Sequence, residues 1–185
     1  MLPELSLNVL DIVNNSIRAE ANLIVIEVRI HSKDDALVIK ITDNGHGIPE
    51  ELLSKVEDPF FTSRNTRKVG LGIPFLKQAA EITGGKFIIE SVPGKETVVY
   101  ASFGLTHIDR MPLGDICSTI YALLVANQNI DFVYIYEYDG REFQLDTRKL
   151  REILGDIPFD TPEVATFIRD YLKENHREVD GGLSF

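Results

Sequence analysis

Two alternating runs constrain this chain more than any other feature. Leu23 to His31 sets Ile24, Ile26, Val28 and Ile30 against Glu27 and Arg29, and Ala36 to Thr42 repeats the alternation after the turn Lys33-Asp34-Asp35. Period-two patterning of this kind reads as two half-buried strands. The second run opens directly into Asp43-Asn-Gly-His-Gly47, followed by Ile48 and Pro49. A carboxylate and two glycines therefore fall where a strand becomes a turn. Gly45 and Gly47 let the backbone adopt φ > 0 and keep side chains clear of a flat ligand. Asp43, fixed at the strand end, can accept a hydrogen bond from an exocyclic amine such as that of adenine. Asp-Asn-Gly is also an ordinary turn sequence, so the neighbouring segments decide between the two readings.

Upstream, Leu5 to Ala19 places Leu7, Val9 (or Leu10), Ile12, Val13 and Ile17 at helical spacing, with Asn8, Asp11, Asn15 and Arg18 on the other face. Downstream, Pro49-Glu50-Glu51 starts a short helix, with acids in its first turn. From Glu57 to Val69 the pattern dissolves into a polar, basic loop. Gly70-Leu-Gly72 then opens a helix over roughly 73–82, which Gly84-Gly85 terminates. Strands at 86–92 and 96–104 follow, joined by Pro93-Gly94. The order is α, β, β, α, long loop, α, β, β.

After Gly104 the register changes. Pro112 to Asn127 reads as a helix, 132–138 and 141–145 as a hairpin around Asp139-Gly140, and 147–154 and 162–175 as closing helices. Residues 1–105 and 106–185 are therefore expected to form one larger domain and one small α+β module. The run Ile120 to Ala126 is expected in a core, as are Phe132, Tyr134, Tyr136 and Tyr138, which fall at period two; a partner surface is the alternative for the latter.

Charge limits the partners. The 185 residues carry a formal net charge of −10, divided as −3 over residues 1–105 and −7 over 106–185. An acidic second half argues against nucleic acid or an anionic membrane as the partner. The single cysteine, Cys117, rules out an internal disulfide framework and a Cys-based zinc site. No signal pattern and no apolar run near the ~20 residues of a bilayer span appears, so a cytoplasmic protein is expected.

Asp11 and Asn15 project from one helical face a turn apart, with Arg18 three residues on. The amide oxygen can ligate Mg²⁺, the cation can meet phosphate and the carboxylate can orient a water or hydroxyl nucleophile. A solvated polar face would look the same. Gly70 and Gly72 before a helix offer free backbone N–H groups to a phosphate, and Arg64, Arg67 and Lys68 add positive charge.

In combination, Asp/Asn on a helix, Asp-x-Gly-x-Gly after a strand, Pro59-Phe-Phe-Thr-Ser63, Gly70-Leu-Gly-Ile73, Gly84-Gly85 and Glu90-Ser-Val-Pro-Gly-Lys95 with Thr97 occur in one order. Over residues ~4–104 this resembles the ATP-binding domain of the gyrase, histidine kinase and mismatch-repair ATPases, the GHKL superfamily, with bacterial sensor histidine kinases the nearest local likeness. The resemblance implies an α/β fold of the α+β two-layer type, a mixed sheet with helices on one face, and ATP with Mg²⁺ as ligands. It implies that Asn15 ligates the metal, that Asp43 accepts from the adenine amino group, and that Gly45 and Gly47, with Ile48 beside them, shape the pocket floor. Phe60 and Phe61 would anchor a lid over roughly 62–69, and Gly70, Leu71 and Gly72 would approach the phosphates. Thr97 would support the adenine end, and Arg18 stands where the family often has Lys.

The sequence departs from the kinases in three places. Histidine kinases commonly carry Asn where this chain has Asp11; an acid there, usually Glu, marks the hydrolysing members and the anti-sigma-factor serine kinases, where it is thought to act as general base. Only a few residues precede the first helix, so an ordinary sensor-kinase layout is not expected. His107-Ile-Asp-Arg-Met-Pro-Leu113 resembles the kinases' phospho-acceptor box, but follows the ATP domain and has its acid one place too far; a linker is the plainer reading. The expectation is a stand-alone protein kinase of Ser/Thr or His type, or an ATPase, acting on a partner protein in signal transduction. An ATP-driven binding switch is the alternative, and homodimerisation is left open.

Overall fold

The computed structural model describes residues 4–53, 55–56 and 72–185. Its elements run α1 Leu5–Arg18, β1 Leu23–His31, β2 Ala36–Asp43, α2 Glu50–Leu53, α3 Gly72–Ile82, β3 Phe87–Val92, β4 Glu96–Gly104, α4 Ile116–Ala126, β5 Asp131–Tyr138, β6 Arg141–Asp146, α5 Thr147–Leu154 and α6 Pro162–Asp180. The strands form one six-stranded sheet in the order β3-β4-β2-β1-β5-β6. All neighbours are antiparallel except β1 and β5, which run parallel, Leu23 facing Asp131 and Ile30 facing Tyr138. This is the mixed-sheet, two-layer α+β architecture expected from the sequence.

The alternation of the strands separates the two sheet faces. Ile24, Ile26, Val28, Ile30, Leu37, Ile39 and Ile41 are buried, and α1, α3 and α6 pack against the sheet. The opposite face carries a cross-strand ion network. Lys40 on β2 pairs with Glu27 on β1, while Arg29 pairs with Glu27, with Glu137 on β5 and with Glu142 on β6. These charges fall opposite one another in the ladder register. Hydrogen bonds and charge pairing to its carboxylate partners hold the Arg29 guanidinium above its ordinary pKa, outweighing the opposing effect of burial.

The segment after Gly104 adds β5 and β6 to the same sheet as the first four strands. Phe132, Tyr134 and Tyr136 are buried and Tyr138 is half-buried, while in α4 Ile120, Leu123 and Leu124 are buried and Ala122 and Ala126 exposed, so each stretch turns one face into the core. Two helix ends differ from the expectation. The helix expected from Pro112 begins at Ile116, because the carbonyls of Pro112 and Leu113 accept from the N–H groups of Leu5 and Ser6 at 2.9 Å. They satisfy the first turn of α1, whose N-cap Glu4 makes no side-chain cap bond. Asp115 then caps α4 through the Ser118 amide at 2.9 Å. The last helix runs on to Asp180 and stops at Gly181, which takes the left-handed conformation.

Candidate functional site

A cavity of about 340 Å³ opens between α1, the segment after β2, the start of α3 and the inner face of β4. Its walls are largely apolar, with Ile12, Ile48, Ile73, Ile89 and Val99, and its size falls in the range of small-ligand pockets. Asp43, Thr97, Asn15 and Arg18 add polar groups to this lining. One carboxylate among apolar walls suits a flat heterocycle that carries an amino group.

Asp43 ends β2 and is buried. Its Oδ2 accepts from Ser16 Oγ at 2.6 Å and its Oδ1 from the Gly45 amide at 2.9 Å. Each oxygen retains acceptor capacity beyond these bonds. Gly45 does not line the cavity; it sits where a Cβ would come within 2.6 Å of the Ala19 carbonyl oxygen, so only a residue without a side chain lets the loop close on α1. Gly47 lines the cavity with φ +78°, and a Cβ there would meet Pro93 Cα at 2.8 Å.

The glycine loop is tied on several sides. His46 N donates to Ala19 O and Gly94 N to His46 O, both at 2.8 Å. Ile48 N donates to Ser91 Oγ at 2.8 Å, and Ser91 Oγ lies 2.9 Å from Thr97 Oγ1. Asn44 Oδ1 accepts from the amides of Asn22 and Leu23, anchoring the loop to the start of β1. Thr97 itself stands opposite Asp43 in the β2–β4 ladder, so both ends of the polar floor come from adjacent strands.

On α1, Asn15 and Arg18 reach the cavity, and Arg18 Nη1 donates to Asn15 Oδ1 at 2.7 Å. Asp11 does not line the cavity. It packs at its edge, where a Cβ on Gly72 would come within 3.2 Å of Asp11 Cβ. Gly72 is the first residue of α3, so the acid and the start of that helix are neighbours. Of the residues singled out from the sequence, Asn15, Arg18, Asp43, Gly47, Ile48, Gly72 and Thr97 share the cavity, with Asp11 and Gly45 beside it. Phe60, Phe61, Arg64, Lys68, Gly70 and Leu71 lie outside the described residues. Ser16, Asn44 and Ser91 are not among the residues the sequence singles out, yet they orient the carboxylate and the loop; Ser16 directly follows Asn15, and Asn44 and Ser91 lie inside two of the quoted motifs.

His107 is elsewhere. β4 runs from the cavity at Thr97 to Gly104, roughly 20–25 Å of extended chain, and His107 follows in an exposed turn at the far end. Its Nδ1 accepts from Asp109 N at 3.1 Å and lies 4.0 Å from Asp109 Oδ2.

A fit to Mg²⁺ turns on one protein donor, Asn15 Oδ1, which here accepts from the Arg18 guanidinium, so a cation would reach it only by displacing Arg18. Asn15 Oδ1 is a hard oxygen on the cavity wall, and among the described residues no group of three or more His, Cys, Asp or Glu could hold a metal. A cation here would draw most of its ligands from phosphate and water, which is the usual manner of Mg²⁺. Among the described residues no helix is long and apolar enough to cross a membrane.

Comparison with known proteins agrees with this geometry. The family described as histidine kinase-, DNA gyrase B-, and HSP90-like ATPase matches residues 3–107. The sensor protein KdpD of Clostridium acetobutylicum is 34% identical over 89 residues, 45% of this chain and 10% of that protein. The sensor histidine kinase YxdK of Bacillus subtilis is 30% identical over 82 residues, 42% of this chain and 25% of that one. The matched stretch is thus a quarter or less of either relative. A solved N-terminal domain of a DNA repair protein superposes with a TM-score of 0.59 at 16% identity, over 97% of this chain and 57% of that one. At that identity the likeness concerns the fold alone, but it extends through β5 and β6 to α6. The chain belongs to the histidine kinase-, DNA gyrase B- and HSP90-like ATPase family, and ATP is that family's ligand.

Proposed function

We propose that this protein binds Mg-ATP in the 340 Å³ cavity and transfers the γ-phosphoryl group to water or to a hydroxyl of a partner protein. The observation that carries the reading is Asp43: a buried carboxylate at the floor of an apolar cavity, held by Ser16 and the Gly45 amide. It would accept the adenine amino hydrogen, with Thr97 and Ser91 supporting the same end. Asn15 Oδ1 would ligate Mg²⁺, which when bound neutralises phosphate charge. Arg18, on the same wall, adds a positive charge for phosphoryl transfer. Phe60 and Phe61 would anchor the lid over roughly 62–69, Arg64, Arg67 and Lys68 would add positive charge, and Gly70 and Leu71 would approach the phosphates.

Asp11 would act as general base. The nucleophile's oxygen bonds to the γ-phosphorus, its proton passes to the Asp11 carboxylate, and the bond from phosphorus to the β–γ bridging oxygen breaks to release ADP. Positioning and charge stabilisation carry most of such a reaction, so the base contributes about 10²–10⁴-fold. The test follows γ-labelled ATP with purified protein, reading released phosphate and protein-bound label together. Asp11→Asn should retain ADP binding and lose turnover; a variant that turns over at the wild-type rate removes Asp11 from the role.

A second reading has its own support. Asp11 lies at the cavity's edge against Gly72 rather than in its lining, which fits an ATP-dependent switch with little turnover. Partner docking that still follows ATP in Asp11→Asn would favour that reading. Acid-labile label on His107 would require a second copy of the chain, since His107 and the cavity sit at opposite ends of β4.

A further inference from the structure

Among the described residues, Asn8 is the side chain whose buried polar atoms have no partner. It has 0% exposure, and neither Oδ1 nor Nδ2 makes a hydrogen bond. A carboxamide offers two donors and two acceptor lone pairs. Leaving such a group buried and unmet is destabilising, a penalty that leucine, with the same branching and no polar atoms, would avoid. A buried amide of this kind is met either by an ordered water or by a second arrangement in which it is used.

The helix geometry indicates where that use lies. At about 100° per residue, Asn8, Asp11 and Asn15 fall within an arc of roughly 60° on α1. This is the side on which α3 begins, because Gly72 abuts Asp11. Asn15 lines the cavity, Asp11 stands one turn back at its edge, and Asn8 lies one turn further back beneath the same helix. Side chains three residues apart have Cβ atoms about 5–6 Å from each other, within reach of an amide-to-carboxylate hydrogen bond.

We propose that Asn8 is a positioning residue for Asp11: with nucleotide in the cavity, Asn8 Nδ2–H donates to one Asp11 carboxylate oxygen and leaves the other to take the nucleophile's proton. The inference rests on the reading of Asp11 as general base. An aspartate is one methylene shorter than glutamate and reaches the nucleophile over a narrower range of rotamers. A donor one turn below it fixes which oxygen faces the cavity. The amide's unmet bonds are then the stored form of a contact that the loaded site makes.

The test uses the full chain, with and without Mg²⁺ and a β,γ-imido ATP analogue. The Asn8 side-chain amide pair is assigned in proton–nitrogen correlation spectra by its absence from Asn8→Leu, then compared between wild type and Asp11→Ala. With nucleotide present, the pair should move on Asp11→Ala. Asn8→Leu should lower kcat about tenfold with KM for ATP unchanged, the loss expected for one hydrogen bond made in the transition state. An amide pair indifferent to Asp11→Ala, or a wild-type kcat in Asn8→Leu, overturns the inference. If Asn8→Leu does not fold, Asn8→Ser serves for the assignment and the kinetics. If the wild-type protein shows no turnover, the catalytic reading fails on its own, while the spectra still decide whether Asn8 meets Asp11.

Discussion

Asp43 reaches the cavity already oriented, because Ser16 Oγ and the Gly45 amide each occupy one of its oxygens. Replacing it with asparagine puts an NH₂ where one of those donors points, so the variant loses both the charge and part of its mount. ADP affinity should fall roughly 10–100-fold for Asp43→Asn, the worth of one charged hydrogen bond, measured by calorimetric titration. A Kd equal to wild type would show that the amino-group contact is not made there. Ser16→Ala should weaken binding less, about 3–10-fold, by freeing the carboxylate to rotate. Gly47→Ala should cost about 1–3 kcal/mol in a denaturant melt, since its φ of +78° strains any side chain and Pro93 occupies the space a Cβ needs. Asp43, Gly47 and Asn15 were legible because each belongs to a short local pattern. The bonds of Ser16 and Ser91 were not, although both lie in or beside quoted motifs, because their partners Asp43 and Ile48 are 27 and 43 residues away.

α6 is fastened to β5 by buried polar groups as well as by its apolar face. Tyr134 Oη and His176 Nε2 lie 3.0 Å apart, and Tyr136 Oη donates to Asp180 Oδ2 at 2.8 Å. The His176 ring also stacks on Tyr136 at 3.7 Å between centroids. Burial pushes the His176 pKa down to about 4, against the partial opposition of Asp180 and Asp115. Its unfolded value is near 6.5, so between those limits the unfolded chain binds a proton that the native chain does not. Stability should therefore be at its full value above pH ~6.5 and fall as pH drops toward 4, by roughly 2–4 kcal/mol from this group. Thermal melts across that range in wild type and His176→Phe check the assignment: the variant should lose much of the slope, and an identical slope would assign it to other groups. Helices and strands were legible here through periodicity and turn residues. The start of α4 was not, because Pro112 and Leu113 give their carbonyls to α1, and a distant helix end leaves no mark on local spacing.

The whole molecule is organised by β1, which sits inside the sheet with β2 on one side and β5 on the other. Removing everything after Gly104 would strip β1 of its parallel partner and leave the row Ile24 to Ile30 beside an open edge. Such a fragment should aggregate or melt well below the full chain in a solubility and thermal-shift assay; a soluble, ADP-binding fragment would instead establish residues 1–105 as an independent unit. The hairpins on either side were legible, since each joins neighbours through a short turn. The β1–β5 pairing was not, because a parallel contact between distant segments has no turn to announce it. That pairing also sets a timetable. Its strands are separated by about a hundred residues, a sequence distance that slows folding. At roughly 5–20 residues per second of synthesis, the strand at the middle of the finished sheet waits several seconds for its second neighbour. During that interval the nascent chain carries β1 with one apolar edge open, so the ribosome-bound protein is the form most exposed to misassembly.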